Sequence, residues 1–115
     1  GGNLGVTEGL EFFDKNFGFA GLTGASQSHS SLYVTRDGGT TFTELQLPLE
    51  TVTELPPLAK ELNFTIENYK YCEMPKKKED ILTIKLLTGA GEIQGIRFES
   101  KDNGETWAYA GISVE

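Results

Sequence analysis

Apolar and polar residues alternate with a period of two along most of the chain, the mark of strands buried on one face. Val6 to Phe13 reads VTEGLEFF and predicts a first strand. Asp14-Lys15-Asn16 predicts a turn, and Phe17 to Leu22 a second strand whose small residues admit a close neighbour. Thr23 to Ser30 is a polar loop holding His29. Ser31 to Thr35 and Phe42 to Leu47 complete the set. Four sequential strands with short connections form an antiparallel meander over residues 6–47.

Pro48, Pro56 and Pro57 interrupt the alternation and predict a connector over 48–62, with one helical turn at Leu58 to Leu62. A second meander is expected over 63–115, with strands at 64–74, 80–87, 92–99 and 106–114. In Ile81 to Leu86 the apolar residues fall on both parities, which predicts a strand covered on both faces. Thr88-Gly89-Ala90-Gly91 reads as a hairpin turn, and not as a phosphate loop, because no helical pattern follows it. Pro75 to Asp80, with its three lysines, reads as a solvated hairpin tip in preference to a dock for an acidic partner.

One octet occurs twice. Ser100-Lys101-Asp102-Asn103-Gly104-Glu105-Thr106-Trp107 has a near copy in Thr35-Arg36-Asp37-Gly38-Gly39-Thr40-Thr41-Phe42. Asn103-Gly104 is a strong hairpin signal, and Gly38-Gly39 takes its place in the copy. An Asp ahead of such a turn accepts hydrogen bonds from groups a few residues on. Gly39 and Gly104 supply positive φ without steric cost. Trp107 and Phe42 are expected to fold back over their turns and bury a large apolar face. A carboxylate spent on its own turn accounts for Asp37 and Asp102 without any catalytic role.

These octets resemble the Asp-box of the bacterial neuraminidase repeat. Residues 10–45, with Phe12-Phe13-Asp14, Gly18-Phe19-Ala20 and the first octet, look like one repeat of the photosystem II assembly-factor-like β-propellers. Phe19 and Phe42 stand where that repeat usually has Trp. In the second half the likeness covers only residues 100–107. The resemblance implies an all-β domain of two four-stranded, blade-like antiparallel meanders spanning 1–115. The spacing of the two octets exceeds the 40–50 or so residues of a blade, and two blades cannot close a ring. The meanders therefore pack as a sandwich, or form part of a propeller built from several chains or a longer one. Burial within one chain is the favoured arrangement.

Composition narrows the functions. Ten basic against 17 acidic residues give a net charge of −7, which argues against nucleic acid and anionic membranes as partners. No apolar run is long enough to span a bilayer, and no charged-then-apolar leader is legible. Fourteen glycines suit short strands and tight turns. Cys72 is the single cysteine, so no internal disulfide or cysteine metal set is expected; its one imaginable catalytic partner is His29. No cofactor and no metal site is expected. Asn63-Phe64-Thr65 matches a glycosylation sequon, a pattern common by chance.

The reading favoured by these features is a non-catalytic binding or interaction domain outside the cytoplasm, a location implied by the resemblance. His29, Tyr33, Tyr69, Tyr71 and Tyr109 are the candidate contacts to a protein or glycan partner, although packing explains most tyrosines in strands. One alternative is a lectin-like module that closes a propeller as a homo-oligomer. Another is a non-catalytic fragment of a sialidase-type glycoside hydrolase. The resemblance gives such enzymes three substrate-binding arginines, and this chain has only Arg36 and Arg97. Lysine does not replace a bidentate guanidinium.

Overall fold

A computed structural model describes residues 6–23, 30–89 and 91–114. The first meander contains β1 (Val6–Phe12), β2 (Gly18–Thr23), β3 (Ser30–Thr35) and the short β4 (Thr43–Glu44). The second contains β5 (Tyr71–Cys72), β6 (Lys76–Lys78), β7 (Ile81–Leu87), β8 (Gly95–Ser100) and β9 (Ala108–Ser113). All pairs within each meander are antiparallel. The two meet at one parallel bridge, Ser30 to Tyr71, and no pairing of β1 with β9 closes a barrel.

The second meander has five strands where four were expected, because its first strand is broken. Tyr71 pairs with Leu87 and Cys72 with Leu86, but Lys76 pairs with Thr83. The register slips by one residue at 73–75, a bulge around the buried Pro75, which lacks the N–H a ladder needs. Two expectations are corrected here. The three lysines form a strand, with the turn at Glu79-Asp80 and Glu79 at φ 57°. Residues 64–70 are not a strand either: Thr65 accepts from Glu67 N–H while Asn68 Oδ1 accepts from Thr65 N–H, which folds Ile66–Asn68 into a 3-10 turn.

The connector forms the anticipated helical turn, α1 (Pro57–Leu62), opened by proline and closed by Asn63 in the left-handed conformation at φ 57°. Gln94 Oε1 accepts from the Leu58 N–H at 3.0 Å and ties the helix to the β7–β8 loop.

Two buried clusters hold the layers together. Phe17 and Phe19 of the first meander pack on Leu82 of the second, with Phe13, Val34, Leu45, Met74 and Trp107 around them. The meanders therefore face each other across an aromatic seam, Phe17 to Phe19 at 5.3 Å and Phe19 to Trp107 at 6.4 Å, both edge-on. Further along, Leu86, Ile96 and Phe98 are covered by Leu47, Ala59, Tyr69 and the connector residues Val52 and Leu55. Each fully buried side chain of this size contributes roughly 1.5–3 kcal/mol by burial. In β7, Leu82, Ile84 and Leu86 are buried while Ile81, Thr83 and Lys85 between them are half-buried. Leu87, on the face of Ile81, Thr83 and Lys85, is also buried, so β7 is covered on both faces, less fully on the second.

Candidate functional site

The two octets make the same turn. In the first, Thr41 donates to Asp37 through its N–H (2.9 Å) and its hydroxyl (2.6 Å), and Thr35 Oγ1 donates to Asp37 Oδ1 at 2.8 Å. Gly39 N–H returns to Thr35 Oγ1 at 2.9 Å. In the second, Thr106 N–H (2.9 Å), the Thr106 hydroxyl and Ser100 Oγ (2.8 Å) donate to Asp102, and Gly104 N–H donates to Ser100 Oγ at 2.8 Å. The Thr41 and Thr106 donors, then Thr35 and Ser100, hold both carboxyls down at about 2. Both aspartates are ionised at neutral pH and committed to their own loops.

The aromatic partners differ. Trp107 is half-buried against Phe19, and its indole Nε1 is buried without a hydrogen-bond partner among the described residues. Phe42 is 40 % exposed and does not cover its turn. From another strand, the ring of Phe12 lies 3.6 Å from where a Cβ on Gly39 would project. Phe17 lies closer over Gly104, 2.9 Å from where a Cβ there would project.

The turns lie side by side. Arg36, from the first octet, donates to the Asn103 carbonyl in the second at 3.2 Å. Its guanidinium stacks 4.5 Å above Phe17 and lies 3.8 Å from Glu105. A groove of about 470 Å³ runs between the octets, floored by Val34, Leu45 and Trp107 and rimmed by polar groups including Thr43, Glu44 and Gln46. Sequence reasoning missed this groove. Arg36 and Asn103 are 67 positions apart, and no local pattern announces that they meet.

The other candidate residues do not converge on it. His29 lies outside the described residues. Tyr33 is half-buried on β3. Tyr69 and Tyr71 are each only 4 % exposed. The Tyr69 ring packs edge-on against Phe64, and burial, with Glu92 nearby, raises its hydroxyl pKa. Tyr109 rests against Phe98 and donates to the Glu54 carbonyl at 3.1 Å. Burial, aided by Glu44, pushes the Cys72 thiol up to about 12, so it carries no thiolate at neutral pH. Among the described residues no cluster of His, Cys, Asp and Glu could hold a metal ion, and no helix is long and apolar enough to cross a membrane. Comparison with known proteins finds no matching family model, no matching curated relative and no matching solved structure.

Proposed function

We propose that this chain is a non-catalytic binding domain of the extracytoplasmic space, built from two Asp-box meanders and recognising a protein or glycan in the groove between its octets. The observation that carries the reading is the division of labour at that groove. Asp37 and Asp102 are consumed by their turns, while Trp107, Glu44, Gln46 and Glu105 line an open cleft with an apolar floor and a polar rim. Such a surface suits recognition. The test is a glycan array and a pull-down with extracellular protein, comparing the native chain with Glu44→Lys/Gln46→Lys. Retention that the double variant loses supports the reading; retention unchanged by it removes the groove from the account.

A second reading, a lectin-like module completed by self-association, is favoured by the outward face of the first meander. Strand pairing puts Phe12, Gly18 and Thr35 in one row and Leu10, Ala20 and Tyr33 in the next. Continuing the β3–β4 register adds Phe42 to the first row. Leu10 (61 %), Phe12, Leu22 and Phe42 are all exposed there, and contiguous exposed apolar side chains mark interfaces. Sedimentation equilibrium decides it: a compact oligomer dissolved by Leu10→Lys/Phe42→Lys supports assembly, and a monomer at all concentrations rejects it.

A further inference from the structure

We propose that Asn103 is a site of spontaneous deamidation, kept closed by the hydrogen bonds of the packed octets and released when that contact opens. The sequence sets the chemistry. Of the chain's asparagines only Asn103 precedes a glycine; Asn16, Asn63 and Asn68 precede Phe17, Phe64 and Tyr69, whose side chains crowd the next nitrogen. Gly104 has no Cβ to hinder its own. Once that nitrogen loses its proton it can attack Cγ of the Asn103 side chain. The new N–Cγ bond closes a succinimide ring, the Cγ–Nδ2 bond breaks, and ammonia leaves with the proton that Gly104 gave up. Water then opens the ring at either carbonyl, giving aspartate or isoaspartate. Asn103 is exposed, and its side-chain amide has no hydrogen-bond partner among the described residues, so the group under attack is free.

What holds the reaction back is the peptide unit between Asn103 and Gly104, which is pinned at both ends. Its N–H, on the buried Gly104, donates to Ser100 Oγ at 2.8 Å. Its carbonyl, on Asn103, accepts from Arg36 Nη2 at 3.2 Å. Asn103 at φ 62° and Gly104 at φ 84° have the paired positive values of a type I′ turn. Such a turn points the Gly104 nitrogen away from the Asn103 side chain. Bringing it onto Cγ requires the peptide plane to rotate, which breaks both hydrogen bonds and bares the N–H to base. Arg36 belongs to the first octet and is itself held by Phe17 and Glu105, so half of the lock spans the two meanders. Asp37-Gly38 is the matching pair in the first octet. It offers no second site, because the Asp37 carboxyl is held ionised by Thr41 and Thr35, and a carboxylate resists attack by an amide nitrogen.

The isoaspartate product does not fit back into the octet. It carries the main chain through Cβ and so adds a backbone atom between Ser100 and Gly104, which displaces the N–H from Ser100 Oγ. It also sets a new carboxylate in the chain between Asp102 and Glu105, where like charges repel. Gly104 and Glu105 line the groove between the octets, so the change reaches that surface too.

The test holds the native chain, Ser100→Ala, Ser100→Thr and Arg36→Gln at mildly alkaline pH, both folded in buffer and unfolded in urea. The tryptic peptide 102–115 contains no other asparagine and is followed by mass and by isoaspartate methylation. The folded native chain is expected to react at least about tenfold more slowly than in urea, because the reaction waits on local opening. Ser100→Ala should speed the folded reaction about fivefold or more, the smallest effect of leaving a buried N–H without its acceptor. Ser100→Thr keeps a hydroxyl, as Thr35 does in the first octet, and should stay near the native rate. Arg36→Gln, at an exposed position, should speed it about twofold or more. No deamidation in urea, equal folded and unfolded rates for the native chain, or equal folded rates for Ser100→Ala and Ser100→Thr would each overturn the proposal. So would an Arg36→Gln rate no faster than native. Circular dichroism confirms that each variant is folded in buffer, and Arg36→Gln keeps the test decisive if Ser100→Ala is not.

Discussion

Gly104→Ala tests the packing of the two turns against their surroundings. Gly104 is buried at φ 84°, and a Cβ there would stand 2.9 Å from Cζ of Phe17 and 3.4 Å from Nη2 of Arg36. Holding an L-residue in the left-handed region costs roughly 1–2 kcal/mol. The clash adds overpacking of about 1–3 kcal/mol, because Phe17 is only 3 % exposed and wedged between Phe13 and Phe19. Gly39→Ala, at φ 97°, carries the first cost alone, since its Cβ would meet Phe12 at an ordinary 3.6 Å. A chain of this length loses about 4 °C of Tm per kcal/mol. Gly104→Ala should therefore lower Tm by roughly 8–20 °C and Gly39→Ala by roughly 4–8 °C. Thermal melts by circular dichroism at neutral pH read both. In a Phe17→Leu background, the added loss from Gly104→Ala should shrink towards the Gly39→Ala value. Equal losses from the two glycines in the native background would refute the argument that Phe17 closes the second turn.

The octet carboxyls fix the acid response. Their pKa values are near 2 when folded against an ordinary 3.8, so their contribution is complete above about pH 4 and is lost as pH falls through 2. The urea midpoint of the native chain should fall between pH 4 and pH 2, and Asp37→Asn/Asp102→Asn should flatten that fall; an unchanged slope would contradict the turn chemistry. Cys72, with its thiol at about 12, should react with an aromatic disulfide reagent at least about tenfold more slowly in the folded chain than in urea at pH 8, and equal rates would show it unburied. Phe98→Ala empties a fully buried position and should cost about 3–5 kcal/mol, seen as a Tm loss above about 12 °C; a loss under 4 °C would remove Phe98 from the core.

The turns were legible because their chemistry is local. Thr35 or Ser100, the Asp two residues on, the glycine at positive φ and the closing Thr lie within seven residues, and the hydrogen bonds follow from that spacing. The strand character of β7 and β8 was legible for the same reason. What could not be read depends on partners distant in sequence. Phe42 is 40 % exposed while the Phe12 ring lies over Gly39, and nothing near the first octet announces that Phe12 meets it. The lysines at 76–78 became a strand because β7 offered its edge, against their own weak strand preference. Thr65 and Asn68 spell a local cap that outweighs the apolar pattern of 64–74. The groove is assembled from two stretches distant in sequence, Val34 to Gln46 and Gly104 to Trp107, and only the packing of the two meanders brings those together.

The central claim is that the two meanders lie face to face with their octets in contact. Nuclear Overhauser effects test it most directly, because they report proton pairs within about 5 Å. The account predicts cross-peaks from the Phe17 ring to the Gly104 α-protons and from the Phe19 ring to the Trp107 indole. A fully assigned spectrum with strong strand contacts inside each meander, but none across these two pairs, would contradict it.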